Sequence, residues 1–361
     1  MKTLDPTFSR ALLRWYSRHK RDLPWRRTRD PYAIWISEIM LQQTTVAAVI
    51  PKFHSWIHRF PNIETLSRAR RQTVLKMWEG LGYYARARNL HNAAKMITRQ
   101  YQGKVPDDLR KLQCLPGFGP YTAAAVSSIA YNRRNPLIDA NVRRVMMRIL
   151  AFTGEIDRKT DRHIFIKLSK LIPRSAGNFN QALMELGALL CGKIPQCLQC
   201  PVRSWCRAYE QDIQAAIPPR KIRPLTRIRA AVALIQRQDG KWLIQQRSGK
   251  GLLAELWEFP GGKLEKGETS QQAVVREVRE EAGAEICPCA LYMKTHHFYL
   301  NYRVHLDAWR CRLLNNPPKK SNQRWVSLLA ISRYPMPSGS VKIVERMLRD
   351  KELPKKGIAK K

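Results

Sequence analysis

Near Ile217 the apolar residues of this 361-residue chain change their period, and nothing else constrains its fold as strongly. Up to about residue 205 they recur at three- and four-residue intervals. DPYAIWISEIMLQQTTVAAVIPKFHSWI (30–57) and NRRNPLIDANVRRVMMRILAFTG (132–154) are examples, with Pro, Gly and Asn between such stretches. That is the period of amphipathic helices. PPRKIRPLTRIR (218–229) interrupts it with proline and arginine. Beyond, AAVALIQ (230–236) and KWLIQQR (241–247) read as strands joined by the turn QDG. A helix is expected over 270–283 and further strands over 302–312. The chain is therefore read as multidomain. An all-α domain spans 1–206, a linker 207–228, a smaller α/β domain 229–350 and a basic tail 351–361.

Charge narrows the class of partner. Lys and Arg total 65 against 28 Asp and Glu, a formal +37. Such an excess opposes self-association and draws a protein to polyanions, so a monomer bound to nucleic acid is expected. No run approaches the roughly 18 apolar residues of a membrane span, and the mixed, amphipathic start MKTLDPTFSRALLRWYSRHK lacks a secretory pattern. A cytoplasmic protein held at the nucleoid by DNA, without a membrane partner, is the expectation.

Four of the eight cysteines crowd into CGKIPQCLQCPVRSWC: Cys191, Cys197, Cys200 and Cys206. In a reducing compartment, clustered thiols bind metal more often than they pair. The spacing C-x5-C-x2-C-x5-C suits an iron–sulfur cluster or a tetrahedral metal. Zinc sites usually carry two separated C-x2-C pairs, and this run has one. Cys287, Cys289 and Cys311 read as ordinary packing thiols.

LPGFGPYTAAAVSSIA (115–130) places Gly117 and Gly119 between two helical stretches. Such a hairpin can present backbone N–H groups and a helix N-terminus to a DNA phosphate without side-chain obstruction. A plain helix–helix turn also favours Gly and Pro.

Together the hairpin and the cysteine loop resemble the helix-hairpin-helix glycosylases of the endonuclease III superfamily, which carry a C-terminal 4Fe–4S loop. SEIMLQQTTV (37–46), EGLGYYARARNLHNAA (79–94), LPGFGPYTAAAV (115–126), LIDANVRRV (137–145) and NQALMELGALLC (180–191) resemble the MutY-type adenine DNA glycosylases. The resemblance implies excision of adenine mispaired with 8-oxoguanine, or with guanine, in double-stranded DNA. It implies a 4Fe–4S cluster on the four cysteines, although the family's first spacing is C-x6-C and GKIPQ gives five.

It also implies roles for single residues. Glu38, in the apolar IWISEIML, would keep a proton for the departing base. Asp139 would stabilise the cationic sugar carbon, with Asn141 orienting it; read alone, the pair looks like a helix N-cap. Tyr121 would line the pocket and donate to the catalytic groups. It stands where lyase members place a lysine, which favours a monofunctional enzyme. Gln181 would read the adenine edge. Gln42 and Gln43, one helical turn beyond Glu38, would fill the gap left by a flipped base. Arg26, in LPWRR, would line the pocket.

GGKLEKGETSQQAVVREVREEAGA (261–284) matches a Nudix box from Gly262 onward, with Ala284 in the last apolar slot. Glu277, Glu280 and Glu281 fall at i, i+3 and i+4, so one helix face would offer three carboxylates to Mg2+ or Mn2+. MutY-type chains carry a MutT-like domain that reads 8-oxoguanine but usually lacks an intact box. Hydrolysis of a nucleoside diphosphate-linked substrate is therefore an alternative activity. Neither the family's Phe-Ser-His loop nor the base-reading Asn of MutT enzymes is cleanly present. His296, His297, Phe298 and Tyr302, and Ser340, occupy the nearest places.

Overall fold

The computed structural model describes residues 4–219, 225–249, 251, 253–299, 301–315 and 318–352; the basic tail from residue 353 onward lies outside them. The chain forms two compact units, one of residues 1–68 and 89–222, the other of 69–88 and 223–361. The sequence places 69–88 in the helical domain, whereas their packing belongs to the second unit.

In chain order the helices before residue 223 are α1 (Pro6–His19), α2 (Pro31–Leu41), α3 (Val46–Arg59), α4 (Ile63–Arg68), α5 (Arg71–Met77), α6 (Ala85–Gln100), α7 (Leu109–Gln113), α8 (Pro120–Ile129), α9 (Ala140–Ile149), α10 (Arg158–Leu171), α11 (Ala176–Leu189) and α12 (Arg207–Glu210). Five of them start on an aspartate, Asp5, Asp30, Asp108, Asp139 and Asp157, whose carboxylate accepts from first-turn N–H groups. α2 is buried on every side from Tyr32 to Met40, as expected of a helix apolar all round, and it carries Glu38 inside with it. The core gathers α1, α8, α9 and α11 around Phe8, Val145, Met146, Phe179 and Leu183. α11 approaches α9 closely because residue 187 is glycine: a Cβ there would lie 2.6 Å from Cβ of Asn141.

The second unit holds two sheets, built from β1 (Thr226–Ile235), β2 (Trp242–Gln246), β3 (Trp257–Glu258), β4 (Gly261–Lys263), β5 (Ile286–Tyr299), β6 (Tyr302–Leu313) and β7 (Gln323–Val326). Their orders are β4-β1-β6-β5 and β3-β2-β7, with only β1–β6 parallel. α13 (Ser270–Glu277) starts in a capping box between Thr269 and Gln272, and packs Ala273 and Val274 beneath the first sheet. α14 (Leu328–Ile331) and α15 (Ser338–Glu352) cover another core around Phe259, Ile343 and Val344. Residues 69–88 are tied into this unit. Trp257 donates from Nε1 to Gln72 at 3.1 Å, Tyr84 donates to the Met336 carbonyl at 3.1 Å, and Arg88 donates to that of Ala254 at 3.0 Å. Among the described residues no helix is long and apolar enough to cross a membrane.

Candidate active site

Glu38 stands in the last turn of α2, 4% exposed, beside a cavity of about 710 Å3. Burial pushes its carboxyl up to about 7. A hydrogen bond donated by the Tyr121 hydroxyl opposes the rise, and the nearby Asp139 charge adds to it. Tyr121, at the start of α8, is itself held well above the usual phenol range, first by burial and then by the Glu38 charge. Asp139 caps α9, accepting from the Val142 N–H at 2.6 Å, and Asn141 Nδ2 donates to its other oxygen at 3.1 Å. Burial raises the Asp139 carboxyl as well, opposed by those two donors. The cap read from LIDAN is present, and it holds the Asp139 carboxylate at the cavity wall.

Arg26, Gln42, Gln43, Asn141 and Gln181 line the same cavity. α2 ends at Leu41, so Gln42 is its C-cap and Gln43 lies beyond it with φ +58, instead of on a continuing helical turn. Gln42 Nε2 donates to Thr122 at 3.2 Å, and Gln181 Nε2 to the Gly177 carbonyl at 3.3 Å. Arg26 is engaged by Glu185, a residue that motif reading misses. Glu185 is fully buried on α11 and takes paired donors from both Arg21 (2.9 and 2.7 Å) and Arg26 (3.0 and 2.8 Å). Burial alone would raise its carboxyl, but these donors hold it at about 2. Its sequence signal is the one Glu38 gives: a single acid inside an apolar helix, four residues after Gln181. No lysine lines the cavity.

At the hairpin, Gly117 has φ +80, a left-handed conformation that its glycine permits. A Cβ added at Gly119, the N-cap of α8, would meet nothing within 4 Å, so the helix N-terminus is open to an anion.

Cys191, Cys197, Cys200 and Cys206 are free thiols lining one cavity with Arg148 and Arg203. Burial pushes the Cys200 thiol up to about 12, and the other three thiols repel its charge further. Such a set is stable as thiolates only with positive charge supplied at its centre. The buried Arg148 donates from Nη1 to Cys191 Sγ at 3.2 Å and to the Gly192 carbonyl at 2.7 Å. Arg144 on the same helix donates to the carbonyls of Cys191 and Gly187, both at 2.7 Å, and to Asn141 Oδ1 at 3.0 Å.

In the second unit the three box carboxylates do not lie on one continuous α-helix. α13 stops at Glu277, a π-helical turn runs Val278–Ala282, and Gly283 closes it at φ +65. Arg276 pairs with Glu268, Glu277 and Glu280. Among the described residues no three His, Cys, Asp or Glu side chains are placed to hold one metal ion. β5 is the longest of the strands that the alternation of polar and apolar residues leaves unread; β-bulges near Cys289 and Tyr292 break its period.

Comparison with known proteins gives two family matches, an HhH-GPD superfamily base excision DNA repair protein over residues 36–174 and a NUDIX domain over 231–346. An adenine DNA glycosylase of Buchnera aphidicola subsp. Acyrthosiphon pisum is 30% identical over 95% of this chain and 98% of its own length. Those of Rattus norvegicus and Homo sapiens are each 35% identical over 75% and 76% of this chain, which spans 64% and 61% of their lengths. A solved thermostable thymine-DNA glycosylase matches 57% of this chain and 96% of its own at TM-score 0.53 and 30% identity. A DNA-trapped endonuclease III, at TM-score 0.51 and 23% identity over 59% of this chain, shares the fold.

Proposed function

The chain belongs to the adenine DNA glycosylase family, and on that premise we propose that it hydrolyses the N-glycosidic bond of adenine mispaired with 8-oxoguanine or guanine in duplex DNA. The observation that carries this reading is the meeting of Glu38, Tyr121 and Asp139 at one buried cavity, with Glu38 near neutrality.

In this mechanism the adenine leaves the stack and enters the cavity, at a cost of about a few kcal/mol. Gln42 and Gln43 occupy the rim beside the vacated step. Gln181 and the ionised Glu185 meet the polar edge of the base, with Arg21 and Arg26 fixing Glu185. Glu38 delivers its proton to a ring nitrogen of adenine as the glycosidic bond breaks, and the Tyr121 hydroxyl aims that carboxyl. Asp139, ionised and oriented by Asn141, faces the positive charge that grows at the sugar carbon. Water completes the hydrolysis and leaves an abasic site. With no lysine at the cavity there is no amine to form an imine with the sugar, which supports a monofunctional enzyme.

Cys191, Cys197, Cys200 and Cys206 are assigned to a 4Fe–4S cluster. Four free thiols share one cavity, and an all-sulfur donor set of this kind suits an iron–sulfur cluster. When bound, the cluster supplies a rigid anchor for loop 191–206 and no step of the hydrolysis. The hairpin at Gly117 and Gly119 takes a backbone phosphate.

Single-turnover adenine release from duplexes with 8-oxoguanine:A, G:A and T:A tests the proposal. Release ordered 8-oxoguanine:A, then G:A, with none from T:A, is expected. Equal rates on all three, or efficient borohydride trapping on abasic DNA, would refute it.

A further inference from the structure

α1 turns Phe8, Leu12, Trp15 and Tyr16 into the core, the stripe of an amphipathic helix. Tyr16 ends that stripe, where an aromatic side chain ordinarily only fills space. Its neighbours are of another kind. The Arg26 guanidinium carbon lies over its ring, 5.7 Å from the centroid, and Lys20 Nζ lies at 6.0 Å. Burial raises the Tyr16 phenol; the Arg26 charge opposes the rise and the Glu185 charge adds to it, so both charges act on this side chain. Tyr16 is 5% exposed and does not line the cavity, whereas Arg26 does.

The charges around Glu185 do not cancel. Arg21 meets its carboxylate through Nε and Nη2, and Arg26 meets it through Nη1 and Nη2. The Arg21 main-chain N–H donates to it as well, at 2.9 Å. Two guanidiniums on one carboxylate leave one positive charge unanswered. The Arg21 side chain is 37% exposed and shares its charge with water, but that of Arg26 is only 12% exposed. A cation taken out of water is attracted to the negative face of an aromatic ring, and the Tyr16 ring offers one to Arg26.

We propose that Tyr16 is a positioning residue for base selection: its ring holds the Arg26 guanidinium, and Arg26 holds the Glu185 carboxylate toward the exocyclic amine of adenine. This role rests on adenine being the base that enters the cavity. With Arg26 loosened, Arg21 still pairs with Glu185, but from one side, and the carboxylate turns from the base. The loss then falls on a base that carries the amine. Purine, which offers Glu38 the same ring nitrogens without the amine, draws nothing from Glu185.

Two measurements on the full-length protein test this. The first compares single-turnover release of adenine and of purine, each opposite 8-oxoguanine. Tyr16→Leu should lower the adenine-to-purine rate ratio about tenfold, and Tyr16→Phe, which keeps the ring, should stay within about twofold of wild type. An equal fall on both bases is what a merely structural residue gives, and it overturns the proposal. The second is a double-mutant cycle of Tyr16→Leu and Arg26→Gln in urea unfolding, which needs no activity. Tyr16→Leu should shift the unfolding equilibrium about fivefold less in the Arg26→Gln background than in wild type. Additive effects overturn the proposal. Should wild type release no adenine, the adenine reading of the cavity falls and base selection with it, and coupling in the cycle then survives as a contact alone. If Tyr16→Leu does not fold, pentafluorophenylalanine at position 16 replaces it in both measurements, keeping the shape while reversing the charge of the ring face. A wild-type ratio there overturns the proposal.

Discussion

Arg144 donates from Nε to the main-chain carbonyl of Cys191 at 2.7 Å, so a residue of α9 is bound to the first cysteine of the loop. The same guanidinium reaches Asn141, which donates to Asp139. One helix thus links the cysteine loop to the proposed electrostatic partner of the sugar.

Replacing Arg144 by Gln should therefore slow chemistry without releasing DNA. Small misplacement of a reacting group costs up to about 100-fold, and a loss of 10- to 100-fold in single-turnover rate is expected. Duplex affinity, measured by anisotropy, should stay within a few-fold. An unchanged rate would separate the loop from Asp139.

Glu38 should set the alkaline limb of the rate profile. As the acid it is competent when protonated, so excision falls as pH rises through about 7. Glu38→Gln should lower the rate by roughly 10²- to 10⁴-fold and remove that limb.

The same residue couples to stability. Its folded value of about 7 exceeds the ordinary 4.5, so within that window the folded chain keeps a proton that the unfolded chain has released. Stability contributed by the proton is present below 4.5 and lost as pH rises to 7, on the order of 3 kcal/mol in all. Glu38→Gln should raise the melting temperature at pH 8 and leave it nearly unchanged at pH 4.

Asp139 separates its two duties by substitution. Asn caps helices about as well as Asp, so Asp139→Asn should melt close to wild type yet lose most excision. Asp139→Ala should lose the cap too, at about 1 kcal/mol. Equal activity in wild type and Asp139→Asn would remove the carboxylate from the chemistry.

Gly187→Ala pushes a methyl against Asn141, whose Cβ would lie 2.6 Å away. Overpacking of this kind costs about 1–3 kcal/mol. The expected signature is a thermal shift together with slower excision, since Asn141 must yield.

The alternation of helix and strand periods made both folds legible, and family motifs pointed to Glu38, Tyr121 and Asp139. What the sequence withheld is convergence. α2, α8, α9 and α11, with the turn at Pro24–Arg26, bring residues as far apart as 26 and 185 to one cavity, and no local pattern encodes that meeting. Glu185 escaped because its partners, Arg21 and Arg26, lie more than 150 residues away. The acidic box shows a different limit, that of local shape. Its spacing presumes 3.6 residues per turn, and the chain instead runs Val278–Ala282 as a π-helical turn.

Residues 69–88 carry a further consequence. Gln72, Tyr84 and Arg88 hydrogen-bond to residues of the 254–336 region, so the second unit is inherited as two separated stretches of gene. A single crossover at the proline- and arginine-rich connector would graft a foreign domain onto mismatched contacts. Recombination that preserves the unit needs two coordinated exchanges, which makes this chain a poor source of interchangeable cassettes and favours its two parts diverging in step.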